Sequence, residues 1–178
     1  GKEKLYSLQQ IFAKFTSGSN TMQLLRLFAF CSVLGASTFA QSVESIPFRV
    51  NLTPGEEVPA LTLNAAGFST VWFHVVRDAA GQVVSGTVDF HVRYQFPGEV
   101  TFTGFHIHRG AAGTNGPVVL DTRITGANPV VDASGRGEIL RPVTVPPGSP
   151  GVAVLNELLA NPTNFYLNLH TTVNPGGA

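Results

Sequence analysis

Two histidines one residue apart, in the run "GFHIHRGAAGTNGPVVLD" (104–121), are the residues of this sequence best placed to do chemistry. On a strand, residues i and i+2 project from one face, so His106 and His108 can offer two imidazole nitrogens to one ion. A third ligand from a neighbouring strand would complete a site, and His170 in "NFYLNLHTT" has the matching parity. Neutral imidazole suits copper and zinc alike, and three nitrogen ligands with an open position form a competent set. The same spacing also admits a structural reading, in which these rings only hydrogen-bond neighbouring strands and brace the loop "RGAAGTNGP". His74 and His91 lie on the wet faces of a hairpin and read as solvated.

Other chemistries find little support. No Gly-X-Ser-X-Gly occurs, so a nucleophile elbow is not expected. Glu56 and Glu57 are adjacent on an extended segment and point to opposite faces, which prevents them from acting as a glycosidase pair; Glu57 reads as an acceptor for backbone N–H groups of the following loop. "GAAGTNG" has the glycines of a phosphate cradle without its lysine or its helix. Asn51-Leu52-Thr53 matches a glycosylation acceptor, though Pro54 follows it.

The chain has 178 residues and no formal net charge, but that balance mixes unlike segments. Residues 22–40 read as a secretory signal: Met22 and Arg26 precede the apolar core "LFAFCSVL", and "GASTFA" supplies small residues at Thr38 and Ala40, with cleavage expected before Gln41. The apolar stretch is shorter than the roughly 20 residues that a membrane-spanning helix needs. Cys31 sits inside that stretch, which argues against a lipid-modified cysteine. Residues 1–21 read as upstream sequence outside the mature protein.

Residues 41–178 then contain no lysine and no cysteine, and seven arginines face ten acidic residues. A mildly acidic domain without a basic stripe excludes nucleic acid as an expected partner. Without thiols it has neither disulfides nor a cysteine nucleophile, so packing alone must hold it together. The length predicts one domain with a sizeable core and no membrane span.

The elements that would position the histidines follow from turn punctuation and period-2 patterning. Turns such as "RDAAGQ", "FPGE", "DASGRG" and "VPPGSPG" separate short segments rich in Val, Phe, Thr and Ile, the pattern of an antiparallel β-sandwich or Greek-key barrel, superoxide-dismutase-like or Ig-like. In "SGTVDFHVRYQF", Val88, Phe90, Val92, Tyr94 and Phe96 form the core face. "FSTVWFHVV" pairs with it through a turn at 78–81, with Val71, Phe73 and Val75 inward and Trp72 and His74 outward. Phe105 and Ile107 share one face of the His-Ile-His strand, as do Phe165, Leu167 and Leu169 of the last strand, so all three candidate ligands point outward. One short helix is expected near 150–160, with Ser149 as N-cap, Pro150 at its first position, Val152, Leu155 and Leu159 on its apolar side and Asn161-Pro162 as its stop.

"GEEVPA", "GFHIHRGAAGTNGPVVLD" and "FYLNLHTTVNPGGA" resemble, in order and spacing, the three signature blocks of the CHRD (chordin-type) domain. The resemblance covers about residues 46–178. It implies a secreted or periplasmic all-β module with no enzymatic activity established for the family, acting in binding or adhesion toward an extracellular protein or matrix component. The family's characteristic positions fall on Glu57, His106, His108, Gly116, Pro117, His170, Pro175 and Gly176. Arg109 departs from the family's usual glycine. Family members usually continue into a further strand beyond the position of Ala178, so the resemblance implies a domain short of its last strand. "GFHIH" is also similar to the copper strand of Cu/Zn superoxide dismutase, which makes a copper-dependent redox enzyme the alternative function; the bridging histidine, zinc ligands and disulfide cysteines of that enzyme have no counterparts here.

Overall fold

A computed structural model describes residues 41–177. The signal segment expected at 22–40 and the upstream residues 1–21 lie outside the described residues. Among the described residues, eight strands form two antiparallel sheets packed face to face. The first sheet contains β1 (Ser42–Leu52), β2 (Ala66–Arg77), β3 (Val83–Gln95) and β7 (Arg136–Val145), in the order β1-β2-β3-β7. The second is built on β4 (Val100–Arg109). One edge of β4 is shared by β5 (Val118–Asp121) and β6 (Val130–Asp132), and the other pairs with β8 (Phe165–Thr171). Among the described residues, β8 pairs with a strand on one side only.

The core is the set of inward residues that period-2 alternation predicts. Val71, Phe73 and Val75 of β2, and Val88, Phe90, Val92 and Tyr94 of β3, meet Phe102, Phe105 and Ile107 of β4 and Phe165, Leu167 and Leu169 of β8. Phe90 and Phe105 touch edge to face between the sheets, with ring centroids 5.4 Å apart. Burying each such side chain contributes about 1.5–3 kcal/mol, enough to fix which face of each strand turns inward. Phe102 and Phe105 are both fully buried although three positions apart, because the β4–β8 register shifts between Phe102 and Gly104. That irregularity is why parity at the start of β4 cannot be read from alternation. Trp72 is outward, as expected, with its ring parallel to that of His74.

The helix α1 (Pro150–Ala160) follows the cap and stop signals, with Pro150 opening it and Asn161 closing it. Its buried residues are Leu155 and Leu158, whereas Val152 and Leu159 are only partly buried, so the apolar side is rotated from the expected Val152-Leu155-Leu159 line. Two contacts fix the helix to the sandwich. The Asn156 amide bonds both backbone groups of Val83, each at 2.9 Å, and Glu157 pairs with Arg109 at 2.7 Å at the end of β4. No helix among the described residues is long and apolar enough to cross a membrane.

Candidate metal centre

His106, His108 and His170 come together on the face of the second sheet that points away from the core. Pairing of β4 with β8 places Gly104 opposite His170, His106 opposite Asn168 and His108 opposite Tyr166. One ring nitrogen from each of the three histidines can be chosen so that all three lie within 4.8 Å of one another. A tetrahedral zinc pair would hold two such nitrogens ~3.4 Å apart, so ring rotations of about an ångström bring the set to bonding distance. Gly104 makes the grouping possible: a Cβ there would collide with His106 Cε1 and stand 3.0 Å from His170 Cδ2.

Outward, however, does not mean solvated here. His108 is buried, and His106 and His170 are half-buried. Two segments cover this face: the loop 110–117 between β4 and β5, and the turn 172–177 after β8. Each contributes a carbonyl that engages an imidazole. His108 Nδ1 bonds Gly116 O at 2.9 Å, and His170 Nδ1 bonds Pro175 O at 2.9 Å. With a carbonyl as partner, each Nδ1 must carry the proton, which makes the Nε2 atoms of both rings unprotonated acceptors when the rings are neutral. The third ring is held from the other side, where His106 Nε2 faces Asp121 Oδ1 at 3.4 Å across the β4–β5 pairing.

The remaining nitrogens, His106 Nδ1, His108 Nε2 and His170 Nε2, are buried and have no hydrogen-bond partner. Three orphaned nitrogens on neighbouring buried rings are costly unless something satisfies them, since an unsatisfied buried polar atom costs roughly 1–3 kcal/mol. An outer acceptor behind each ring is also how proteins orient metal-ligating histidines. Electrostatics favours the neutral, ligating form. Burial pushes the His106 imidazole below the ordinary histidine value, with Asp121 opposing and the two neighbouring rings reinforcing the shift. Burial likewise lowers His170, against the Pro175 hydrogen bond and with the help of His108.

Several residues support the site, and of these Tyr166 and Asp121 carry no signal in the sequence. Tyr166 stacks on His108 with centroids 4.8 Å apart, and its hydroxyl accepts a hydrogen bond from the Gly116 N–H at 3.0 Å, tying the covering loop to β8. Gly116 lies so close to Arg109 that a Cβ would collide with the Arg109 carbonyl. Asp121 reaches His106 only through the long-range pairing of β4 with β5, which shifts register between Ile107 and His108. Glu57 has a different partner from the expected loop backbone: its carboxylate accepts from the Asn168 side-chain amide at 3.3 Å.

His74 and His91 stay apart from the cluster, on the outer face of the first sheet. They are not simply solvated, since His74 pairs with Asp89 and Ser45 and His91 with Glu138.

The family model described as the CHRD domain matches residues 48–178. The chain belongs to the CHRD family. No curated protein and no solved structure matches it. The matched span takes in the whole of the described sandwich except the start of β1, and with it every residue of the histidine cluster and of the two segments that cover it. The covered imidazoles of this chain therefore lie within its CHRD domain.

Proposed function

We propose that this CHRD domain is an exported module for extracellular binding or adhesion, and that His106, His108 and His170 bind one copper or zinc ion. The observation that carries the metal assignment is the trio of buried nitrogens without partners, each on a ring whose opposite nitrogen is held by Gly116 O, Pro175 O or Asp121. A bracing role alone would account for the held nitrogens and leave the unpartnered ones unexplained. Bound metal would act as a clamp, because its ligands come from two strands whose connecting segments fold back over the same face. Export rests on the signal pattern at 22–40 and is consistent with a lysine-free, cysteine-free domain stabilised by packing.

Metal analysis of the purified chain after equilibration with copper or zinc and removal of excess tests the assignment. One equivalent in the wild type, lost in His106→Ala and in His170→Ala, is expected. Equal trace metal in all three proteins would defeat it. Processing before Gln41, read as the mass of protein recovered from outside the cytoplasm, tests export separately.

A further inference from the structure

On the same outer face, a small pocket opens beside the histidine cluster. Its walls are the end of β1 with the following turn, residues 51–58, and the loop 111–115; its floor is Tyr166 to Asn168. The enclosed volume is about 40 Å³, room for an ammonium group and little more. The charged residues in its lining are Glu56 and Glu57, and no basic side chain lines it. Glu57 is half-buried and forms no ion pair among the described residues. Its one side-chain donor there is the neutral Asn168 amide. Burial raises the Glu57 carboxyl above its usual range, opposed by the Asn168 bond.

Asn168 supplies an independent sign of a missing ligand. It is 6 % exposed, and its Oδ1 is buried without a hydrogen-bond partner. Its orientation is not in question: Nδ2 donates to both Glu57 Oε2 at 3.3 Å and Gly176 O at 3.2 Å, which leaves the oxygen as the free atom. A carboxylate without a counter-charge and an amide oxygen without a donor, at one small concavity, call for a cationic hydrogen-bond donor.

We propose that this pocket is a second site, which takes the ammonium of a lysine side chain presented by a protein partner. The recognition is complementary in charge, since the 3-10 turn Pro54–Glu56, in place of the expected extended segment, brings Glu56 into the same lining as Glu57, and in hydrogen bonding, since an ammonium brings three donors and no acceptor. Residues 41–178 contain no lysine, so another copy of the mature domain does not supply the group. The site gives the partner of the binding module a chemistry. It rests on that half of the function proposed above and is independent of the metal centre, whose histidines do not line the pocket.

Titration of the isotopically labelled full chain with butylammonium chloride, followed by the amide signals of Asn115, Asn168 and the backbone of 51–58 and 111–115, tests the site. Butanol at matched concentration is the neutral control, and both titrations are run on metal-stripped and zinc-supplemented protein so that failure of the metal assignment is seen separately. Saturable shifts confined to these residues, with a dissociation constant of roughly millimolar order for so small a probe, are expected. Butanol should give none, and Glu57→Gln should weaken binding by about tenfold or more, as removal of a charged hydrogen-bond acceptor does. Absence of saturation, an equal response to butanol, or unchanged affinity in a folded Glu57→Gln would overturn the proposal. So would saturation of the same signals by calcium chloride at lower concentration, which would assign the pocket to a hard metal ion. If Glu57→Gln does not fold, the butylammonium and butanol titrations of the wild type decide alone.

Discussion

The two sheets each carry histidines on their outer faces, yet the two faces treat them oppositely. On the first sheet, His74 and His91 stand half-exposed beside carboxylates, and the partners they have found are Asp89, Ser45 and Glu138. On the second, two covering segments take one nitrogen of His108 and of His170, Asp121 faces one of His106, and the other three nitrogens are left buried without partners. Strand spacing is the same in both places. What sets the second group of imidazoles apart is therefore the roof over them: it removes water as a competing partner and fixes which nitrogen of His108 and of His170 carries the proton.

The largest effect expected from this contrast is stabilisation by metal. At free zinc or copper of about 100 times the dissociation constant, wild-type protein should gain about 2.7 kcal/mol, roughly 10 °C in Tm for a domain of this size. His106→Ala, His108→Ala and His170→Ala should lose that gain, whereas His74→Ala and His91→Ala should keep it; a shift retained in the first group and lost in the second would reverse the comparison. Thermal unfolding with and without metal measures it.

Next is Gly104→Ala, which adds a methyl group where the His106 and His170 rings converge. It should destabilise the metal-free protein by about 1–3 kcal/mol and abolish stoichiometric metal, because the ring of His106 must leave its place. Gly98→Ala, where a Cβ would meet nothing within 4 Å, is the matched control. Equilibrium denaturation of both variants provides the reading.

A smaller effect is expected from pH. In the unfolded chain the rings titrate near the ordinary histidine value of about 6.5, while in the folded protein burial holds His106 and His170 lower. Below that value the unfolded state binds protons that the folded state refuses, so stability is full above it and declines as pH falls toward the folded values. Each such proton contributes a slope of about 1.4 kcal/mol per pH unit. Metal-free wild type should therefore weaken between neutral and mildly acidic pH more steeply than the His106→Ala/His170→Ala double variant. Parallel curves would show that the roof does not desolvate the rings.

The smallest expected signal concerns catalysis. Copper-loaded protein should turn over superoxide no faster than the same concentration of free copper, since the ligand set is covered by 110–117 and 172–177. Turnover that rises with copper occupancy and vanishes in His108→Ala would favour the redox alternative.

Much of the framework was legible because alternation is enforced by burial: Val88 to Phe96 on one face, Val71, Phe73 and Val75 on another, and the helix bounded by Pro150 and Asn161. His106 and His108 followed from a two-residue repeat, and His170 from matching parity on a strand that pairs with theirs. The roof was not legible. Outward parity says which face a residue leaves from and nothing of what loops do above that face, so burial of His108 could not be foreseen. Asp121 and Tyr166 depend on pairings between segments distant in sequence and, for Asp121, on a register shift. Leu158 in place of Leu159 is a rotation of the buried side of α1 within the same i+3/i+4 pattern, since either spacing from Leu155 fits one helix face and only the packing selects between them. Glu57 was recognised as an acceptor, but its donor lies 111 residues away.

The turn after β8 has a practical corollary. Because His170 holds Pro175, and Gly177 packs against Glu57 and Asn168, the backbone leaves the sandwich at the doorstep of the imidazoles. A polyhistidine tag joined to the chain beyond this turn would compete at close range for any metal at these rings. Affinity handles belong ahead of β1.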